Sequence, residues 1–377
     1  MTRTLWVTND FPPRSGGIEQ FLVNLVGRLD PASTRVLTAR WPGDAAYDLA
    51  RPWRTDRIAR RPLLPVPALT RRIRRAAAEH AAEVVVFGGA WPLAELAPAL
   101  ALPTLALTMG HEAGMAKVGL GRLVGRLADR VDALGVLSAY TRAELAPWTA
   151  GRVAVHDVFP GVDVATFTPR ADGGAVRRRH GIAPDAPLVV CISRLVRRKG
   201  QDVLVAAWPR VLAAVPGARL LLAGTGPLAG ALRRQVDRGS LGGSVVLGGE
   251  VAWADLPAYH AAADLFAMPC RTRLGGLDVE GLGIVYLEAQ ACAVPVVAGR
   301  SGGAPEAVRD GETGLVVDGG DERAVAGAIA GLLADPARRA AMGQAGRAFV
   351  ERTYAWPVVT EGLERLLADL ASQRRPR

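Results

Sequence analysis

Two carboxylates, Glu280 and Glu288, lie eight positions apart around glycines that lead into an apolar, helix-like stretch. If the helix begins near Gly283, a rise of about 1.5 Å per residue separates the carboxylates by roughly 12 Å. Carboxylates accept hydrogen bonds from hydroxyls, and the first N–H groups, at Gly283, Ile284 and Val285, can donate to phosphate oxygens. The spacing predicts a ligand with hydroxyls at both ends and phosphates between. The alternative is a helix-start acid followed by a partly buried, salt-bridged glutamate.

A basic loop, residues 193–202, follows a predicted strand and directly precedes a helix. Arginine can bind two phosphate oxygens at once and lysine supplies a mobile positive charge, so Arg194 and Lys199 fit a diphosphate. Lys199 is one of only two lysines among 46 basic residues, which favours a role for its particular shape. The alternative is a solvated basic loop without a ligand.

Three further loops follow predicted strands. Gly16 and Gly17 stand at a helix N-terminus that could meet an anion, and residues 224–227 form another glycine turn into a helix. His111 also follows a strand, so we expect it to point into a cleft. Each has a structural alternative, because turns need glycine φ angles without any ligand and a lone histidine is more often structural. The other histidines have no comparable setting: His80, His156, His180 and His260.

The elements that must position these loops alternate between short β-rich runs and amphipathic helical stretches, which predicts an α/β protein with parallel sheets. In the first half, strands are predicted over 4–8, 35–38, 84–87, 104–108 and 133–137, and helices over 18–29, 68–80, 120–130 and 139–145. The pattern then restarts, with strands over 188–192, 218–222, 244–247, 265–268, 294–297 and 314–317. We therefore expect two doubly wound, Rossmann-like domains facing a central cleft, residues 1–169 and 170–355, with a C-terminal helical segment, 356–377, crossing back to the first.

The composition excludes several classes of protein. With 377 residues, 50% of them hydrophobic, the chain can form a sizeable core and is not intrinsically disordered. Three distant cysteines make neither a disulfide framework nor a zinc site. No apolar stretch reaches the roughly 18 residues of a membrane-spanning helix, and the N-terminus lacks a secretory core. We expect a cytoplasmic protein.

The formal charge of +10 favours anionic partners. Two predicted helices are rich in arginine and suit an anionic lipid surface, the second with its arginines along one face: Arg71, Arg72, Arg74 and Arg75, then Arg122, Arg126 and Arg130. The alternative is arginine scattered by a composition bias. We expect no nucleic-acid partner, because aromatic residues make up only 5% of the chain and are not interleaved with its basic residues for base stacking.

Taken together, these segments resemble the retaining glycosyltransferases of family 4, which have the GT-B fold. The likeness runs along nearly the whole chain: GGI at 16–18, GHE at 110–112, SRLVRRKG at 193–200, EGLGIVYLEAQ at 280–290 and SGGAPE at 301–306. The paired-glutamate segment is specific for the family, whereas each glycine loop alone is weak evidence. Within the family, the chain most resembles actinobacterial enzymes that transfer mannose from GDP-mannose to phosphatidylinositol mannosides.

The resemblance implies a role for each matching residue. Arg194 and Lys199 would bind the donor diphosphate and stabilise the leaving group. Glu280 would hold the hydroxyls of the transferred sugar and Glu288 the ribose hydroxyls, with the amides of residues 283–285 contacting sugar and phosphates.

On the other domain, the resemblance implies that Gly16 and Gly17 approach the phosphate and that His111 lies beside the reacting carbon. It also implies no protein nucleophile, no cofactor and no metal, because cationic side chains replace the metal. Asp278 and Glu280 could be a metal pair, but no third ligand stands at a useful spacing.

The expected reaction is retaining hexosyl transfer, with mannose from GDP-mannose placed on a phosphatidylinositol mannoside-type glycolipid at the cytoplasmic membrane face. The alternatives are a UDP-sugar donor, a soluble acceptor, or a non-catalytic binder of nucleotides.

Overall fold

The computed structural model describes residues 1–14 and 16–373. The chain forms two compact units: unit 1 is Met1–Pro160 together with the C-terminal segment from Pro357, and unit 2 is Gly161–Trp356. The sequence prediction places the domain change near residue 170, in the Pro-, Gly- and Asp-rich loop that follows the last strand of unit 1.

Unit 1 contains a sheet of seven parallel strands within the described residues. They are β1 (Thr4–Thr8), β2 (Thr34–Ala39), β3 (Arg54–Ile58), β4 (Val84–Phe87), β5 (Thr104–Leu107), β6 (Ala133–Val136) and β7 (Ala154–Asp157). Their spatial order is β3-β2-β1-β4-β5-β6-β7. The central strands are continuous apolar runs that are almost fully buried, as parallel sheets covered on both faces require.

Among the described residues, six α-helices precede the domain change: α1 (Gly17–Val26), α2 (Asp44–Leu49), α3 (Pro67–His80), α4 (His111–Met115), α5 (Gly121–Ala128) and α6 (Ala139–Thr149). Helix α3 packs its apolar side on the sheet through Leu69, Ile73 and Ala76 and leaves its arginines exposed. This division into an apolar and a charged side is typical of a helix that lies on a sheet surface.

Unit 2 contains a second parallel sheet, of six strands. They are β8 (Leu188–Ile192), β9 (Arg219–Ala223), β10 (Val245–Gly249), β11 (Leu265–Met268), β12 (Val296–Gly299) and β13 (Gly314–Val317), in the order β10-β9-β8-β11-β12-β13. The helices of unit 2 are α7 (Gly173–Arg179), α8 (Gln201–Ala214), α9 (Ala229–Arg238), α10 (Leu256–Ala261), α11 (Ile284–Ala291), α12 (Glu322–Leu333) and α13 (Pro336–Thr353). The last helix, α14 (Trp356–Ser372), belongs to unit 1 from its second residue onward. Two parallel, helix-covered sheets confirm the predicted doubly wound architecture.

The strand order reverses at β1 in unit 1 and at β8 in unit 2, since each has a later strand on one side and its own successor on the other. Ligands of open α/β sheets bind at such reversal points, beyond the carboxyl ends of the strands. The loops after β8 and β11 therefore open at the reversal point of unit 2, and these loops carry the basic segment and the first glutamate. Among the described residues, no helix has the length and apolar character needed to cross a membrane.

Candidate active site

The loop between β8 and α8 is held rigidly by its own backbone and by one buried amide. Gln201, the first residue of α8, donates from Nε2 to Ser193 Oγ at 2.7 Å and to the Arg194 carbonyl at 3.1 Å. Gly200 has φ +80°, and a Cβ there would lie 2.1 Å from the Pro269 carbonyl oxygen, so only glycine fits. The loop has a fixed path that buries Lys199 and leaves Arg194 exposed.

Lys199 and Glu280 form a buried ion pair in unit 2. The Lys199 Nζ lies 2.7 Å from Glu280 Oε2, and the guanidinium of Arg198 donates to the same oxygen. Burial alone would raise the pKa of Glu280, but the charges of Lys199 and Arg198 and their hydrogen bonds outweigh it and hold that pKa below its ordinary value. Two residues predicted to bind different parts of one ligand are therefore in direct contact.

Arg198 is a member of this cluster that the sequence analysis does not single out. Besides Glu280 it contacts Asp278, whose Oδ1 lies 3.3 Å from its Nε, and Asp278 in turn pairs with Arg273 at 3.2 Å. The neighbouring Arg197 points outward, with 58% of its side chain exposed against 28% for Arg198. The signal available in the sequence was the basic run itself, but nothing in it indicates which arginine turns inward.

The backbone of Glu280 is fixed by the loop that follows β12. Its N–H donates to the Ser301 hydroxyl at 3.3 Å, and its carbonyl accepts from the N–H of Gly303 at 2.9 Å. At Gly302, where φ is +53°, a Cβ would lie 2.0 Å from the Glu280 carbonyl oxygen. These contacts explain why the segment after β12 needs glycine next to the backbone of Glu280.

The second glutamate, Glu288, lies inside α11 and is 4% exposed. The Nε2 atom of the fully buried His260 lies 3.4 Å from its Oε2. Helix α11 begins after Gly283, whose φ of +82° is left-handed and whose missing Cβ leaves room for the Tyr286 ring. Ile284 opens the helix as predicted.

The glycines of residues 224–227 have a structural explanation. Gly224 and Gly226 have positive φ angles, and a Cβ on them would come within 2.1 Å of the Ser193 carbonyl oxygen and 2.4 Å of the Leu195 carbonyl oxygen. They are needed for close packing of this turn against the β8–α8 loop.

In unit 1, Gly16 and Gly17 are exposed at the start of α1, and His111 is the exposed first residue of α4. A Cβ on Gly16 would collide with the Glu19 carboxylate, whose Oε1 lies 2.9 Å from the Nε of Arg14, whereas Gly17 faces open space. Packing against Glu19 thus explains the glycine at position 16. At Gly17 the missing side chain leaves the backbone of that residue accessible.

Glu112, next to His111, is a second residue that the sequence analysis does not single out. It is buried and accepts hydrogen bonds from the N–H groups of Trp91 and Met109 at 3.1 and 3.2 Å. Burial raises the pKa of its carboxyl above the ordinary value, against those hydrogen bonds. Glu112 ties the loop after β5 to the loop after β4 and so fixes the position of His111.

The two basic helices differ in how many of their arginines are unpaired. In α3, all four are exposed, and Arg71 and Arg72 make no hydrogen bond or ion pair with another described residue. Near α5, Arg126 and Arg130 both reach Glu95, at 3.4 and 3.1 Å. The predicted stripe of three arginines is thus partly neutralised, and α5 ends at Ala128, before the third.

The chain is 46% identical over 383 residues, 98% of each protein, to the GDP-mannose-dependent alpha-(1-6)-phosphatidylinositol monomannoside mannosyltransferase of Mycolicibacterium smegmatis. Residues 174–349 match the family model described as glycosyl transferases group 1. The chain belongs to this glycosyltransferase family.

A further relative of this glycosyltransferase is the GDP-mannose-dependent monoacylated alpha-(1-6)-phosphatidylinositol monomannoside mannosyltransferase of Corynebacterium glutamicum, 42% identical over 374 residues and 97% of each chain. Among solved structures, Anabaena Alr3699/HepE in complex with UDP superposes with a TM-score of 0.82 over 98% of this chain and 100% of that one, at 20% identity. The structural likeness concerns the fold, and with the family match it confirms the predicted GT-B glycosyltransferase.

In this glycosyltransferase, the cluster in unit 2 can serve a ligand that carries both a diphosphate and hydroxyls. The cations Arg198 and Lys199 meet a carboxylate whose lowered pKa keeps it ionised near neutral pH, so the cluster holds charges of both signs. The three cysteines are buried, and burial raises the thiol pKa of Cys191 and Cys292 to about 12 and of Cys270 to about 11. Thiolate chemistry at neutral pH is therefore not available here.

Proposed function

We propose that this glycosyltransferase moves mannose from GDP-mannose onto a phosphatidylinositol mannoside-type glycolipid with retention of configuration. The observation that carries the proposal is the 46% identity over 98% of both chains to a GDP-mannose-dependent phosphatidylinositol monomannoside mannosyltransferase. The relative at 42% identity is a GDP-mannose-dependent mannosyltransferase for the monoacylated form of that acceptor. Identity at this level over the full length covers the donor-side and acceptor-side units alike.

We assign the donor diphosphate to Arg194 and Lys199, the hydroxyls of the transferred sugar to Glu280, and the ribose hydroxyls to Glu288. The backbone amides of residues 283–285 supply further donors to sugar and phosphate. The buried contact between Lys199 and Glu280 supports this assignment, because a sugar diphosphate carries phosphate oxygens for the first and ring hydroxyls for the second only a few bonds apart. Binding replaces a protein ion pair with two ligand contacts.

In unit 1 we assign phosphate contact to Gly16 and Gly17 and a position beside the reacting sugar carbon to His111. The support is that all three are exposed at the end of the loops that follow strands β1 and β5, and ligands of open α/β sheets bind at such loops.

In the proposed reaction, the bond between the anomeric carbon and the diphosphate oxygen breaks. GDP leaves with the electron pair of that bond. Negative charge grows on that phosphate oxygen, so the positive charges of Arg194 and Lys199 lower the barrier. The acceptor hydroxyl bonds to the anomeric carbon on the same face, and its proton passes to the departing phosphate oxygen. No side chain needs to form a bond with the sugar.

We further propose that the enzyme acts as a peripheral protein at the cytoplasmic membrane face, bound through the basic surface of α3. The unpaired guanidinium groups of Arg71 and Arg72 support this. They lie at a groove of about 700 Å³ between α3 and β3, whose other arginines pair with aspartate or glutamate side chains. Anionic headgroups are attracted by such clusters at about 1 kcal/mol per basic residue. The arginines near α5 contribute less, because Glu95 partly neutralises them.

The test is transfer of radiolabelled sugar into solvent-extractable lipid by the purified protein, with phosphatidylinositol mannoside acceptors. GDP-mannose and UDP-glucose are compared as donors, and Glu280→Gln is compared with Glu322→Gln, which changes an exposed glutamate on α12. We expect label from GDP-mannose only, lost in Glu280→Gln and kept in Glu322→Gln. Label from UDP-glucose alone, or in a water-soluble product, would contradict the proposed donor or acceptor.

A further inference from the structure

A buried histidine and a buried glutamate meet at one side of α11. His260, near the end of α10, is 0% exposed, and its Nε2 lies 3.4 Å from Glu288 Oε2. That distance is longer than the usual 2.7–3.2 Å of an N–H···O hydrogen bond. The two groups are in close contact without a formed hydrogen bond.

Both groups lack partners in the part of the chain that the structure describes. Neither ring nitrogen of His260 has a hydrogen-bond partner there, and no described residue donates a hydrogen bond to the Glu288 carboxylate, whose nearest cationic partner is His260 itself. Buried polar groups are almost always hydrogen-bonded, because leaving one unpaired costs free energy. An unpaired carboxylate in unit 2 marks a place where a bound ligand can donate the missing hydrogen bonds.

The ring of His260 is held from two sides. Its centroid lies 5.8 Å from that of Phe167 and 5.4 Å from that of Phe266. These contacts fix the plane of the imidazole, so its Nε2 atom stays directed toward Glu288. The histidine is placed to act on the carboxylate and on nothing else polar among the described residues.

We propose that His260 is a positioning residue for Glu288: its Nε2–H holds the carboxylate in the orientation that accepts the ribose hydroxyls of the donor nucleotide. The inference rests on the proposed function, in which Glu288 takes those hydroxyls. With one lone pair of Oε2 committed to His260, the other lone pairs of the carboxylate face two vicinal hydroxyls. The long contact closes when the nucleotide binds, as hydrogen bonds in ligand-free sites often do.

The test compares the affinities of GDP and 2′,3′-dideoxy-GDP by titration calorimetry. The unaltered protein should bind GDP at least about tenfold more tightly, because hydrogen bonds to a charged group are the stronger kind. His260→Gln and His260→Asn form a matched pair: the glutamine amide nitrogen reaches the position of Nε2, and the asparagine one stops near Nδ1. We expect Gln to keep the preference for GDP and Asn to lower it to about threefold or less.

A purely structural role of His260 would weaken both nucleotides equally and leave their ratio unchanged. An unchanged ratio in His260→Asn, while Glu288→Gln abolishes the preference, would overturn the inference and leave the proposed function intact. Equal affinity of the unaltered protein for the two nucleotides would instead refute the assignment of the ribose to Glu288, and the inference with it.

A second measurement needs no stable Asn variant. The chain has five histidines, so the imidazole nitrogen resonances of His260 can be followed by NMR and identified by their loss in His260→Gln. GDP should shift the Nε2 resonance, and 2′,3′-dideoxy-GDP should not. The same shift with both nucleotides would overturn the inference.

Discussion

Replacing Lys199 by methionine removes one charge from the donor site while keeping most of the side-chain volume. The Lys199 Nζ lies 2.7 Å from Glu280 Oε2, and both side chains are largely buried. Loss of one preorganised group that stabilises developing charge lowers kcat by about 10²–10³, or roughly 2.7–4 kcal/mol. The stability loss should be smaller, about 1–3 kcal/mol, because Arg198 still pairs with the buried carboxylate.

The assay is steady-state transfer of mannose from GDP-mannose, read beside thermal unfolding of the same sample. Lys117→Met is the matched control, since Lys117 is the other lysine of the chain and pairs with Glu144 in unit 1. Lys199→Arg keeps the charge with a different shape and should recover part of the activity. If Lys199→Met retains activity within about threefold of the unaltered protein, while folding normally, the assignment of the diphosphate to this lysine is wrong.

Three further predictions concern other parts of the structure. Gly200→Ala should destabilise by about 1–3 kcal/mol more than Gly217→Ala in urea unfolding; both glycines have positive φ, but only the first faces a backbone oxygen, at 2.1 Å. Because the pKa of Glu280 is lowered on folding, its ionised carboxylate stabilises the folded protein above about pH 4. That stabilisation is lost as the pH falls through the pKa of Glu280 in the folded state. Between about pH 6 and pH 3, unfolding free energy should therefore fall less in Glu280→Gln than in the unaltered protein, and equal slopes would contradict this. Arg72→Ala should weaken binding to anionic phospholipid vesicles roughly fivefold, whereas Arg126→Ala, which loses a charge that faces Glu95, should change it less; equal losses would count against α3 as the membrane surface.

The buried strands were predictable because their composition is enough to identify them. β1, β4, β8, β11 and β13 have the predicted bounds, since each is a short apolar run between polar loops. β3 and β7 were not predicted: they read RTDRI and AVHD and form the two edges of the unit 1 sheet. An edge strand is partly exposed and carries charges, so it lacks the apolar run that periodicity detects.

The sequence predicts which residues form the candidate site, but it does not predict the contacts between them. The sequence indicates that Lys199 and Glu280 both serve a ligand, yet no spacing rule tells that residues 81 positions apart share an ion pair. The sequence analysis sets His260 aside for a related reason: in the sequence it is a lone histidine on a short helix, and only the packing of α10 against α11 brings it to Glu288. Such juxtapositions are tertiary information.

The most direct test of the central claim is the structure of the product. The purified protein would be incubated with GDP-mannose and a phosphatidylinositol mannoside acceptor, and the extracted lipid analysed by mass spectrometry and by NMR of its anomeric signals. Retaining mannosyl transfer predicts one added hexose per lipid, with the α configuration that mannose has in the donor. A β-linked product, or GDP release without any mannosylated lipid, would contradict the account.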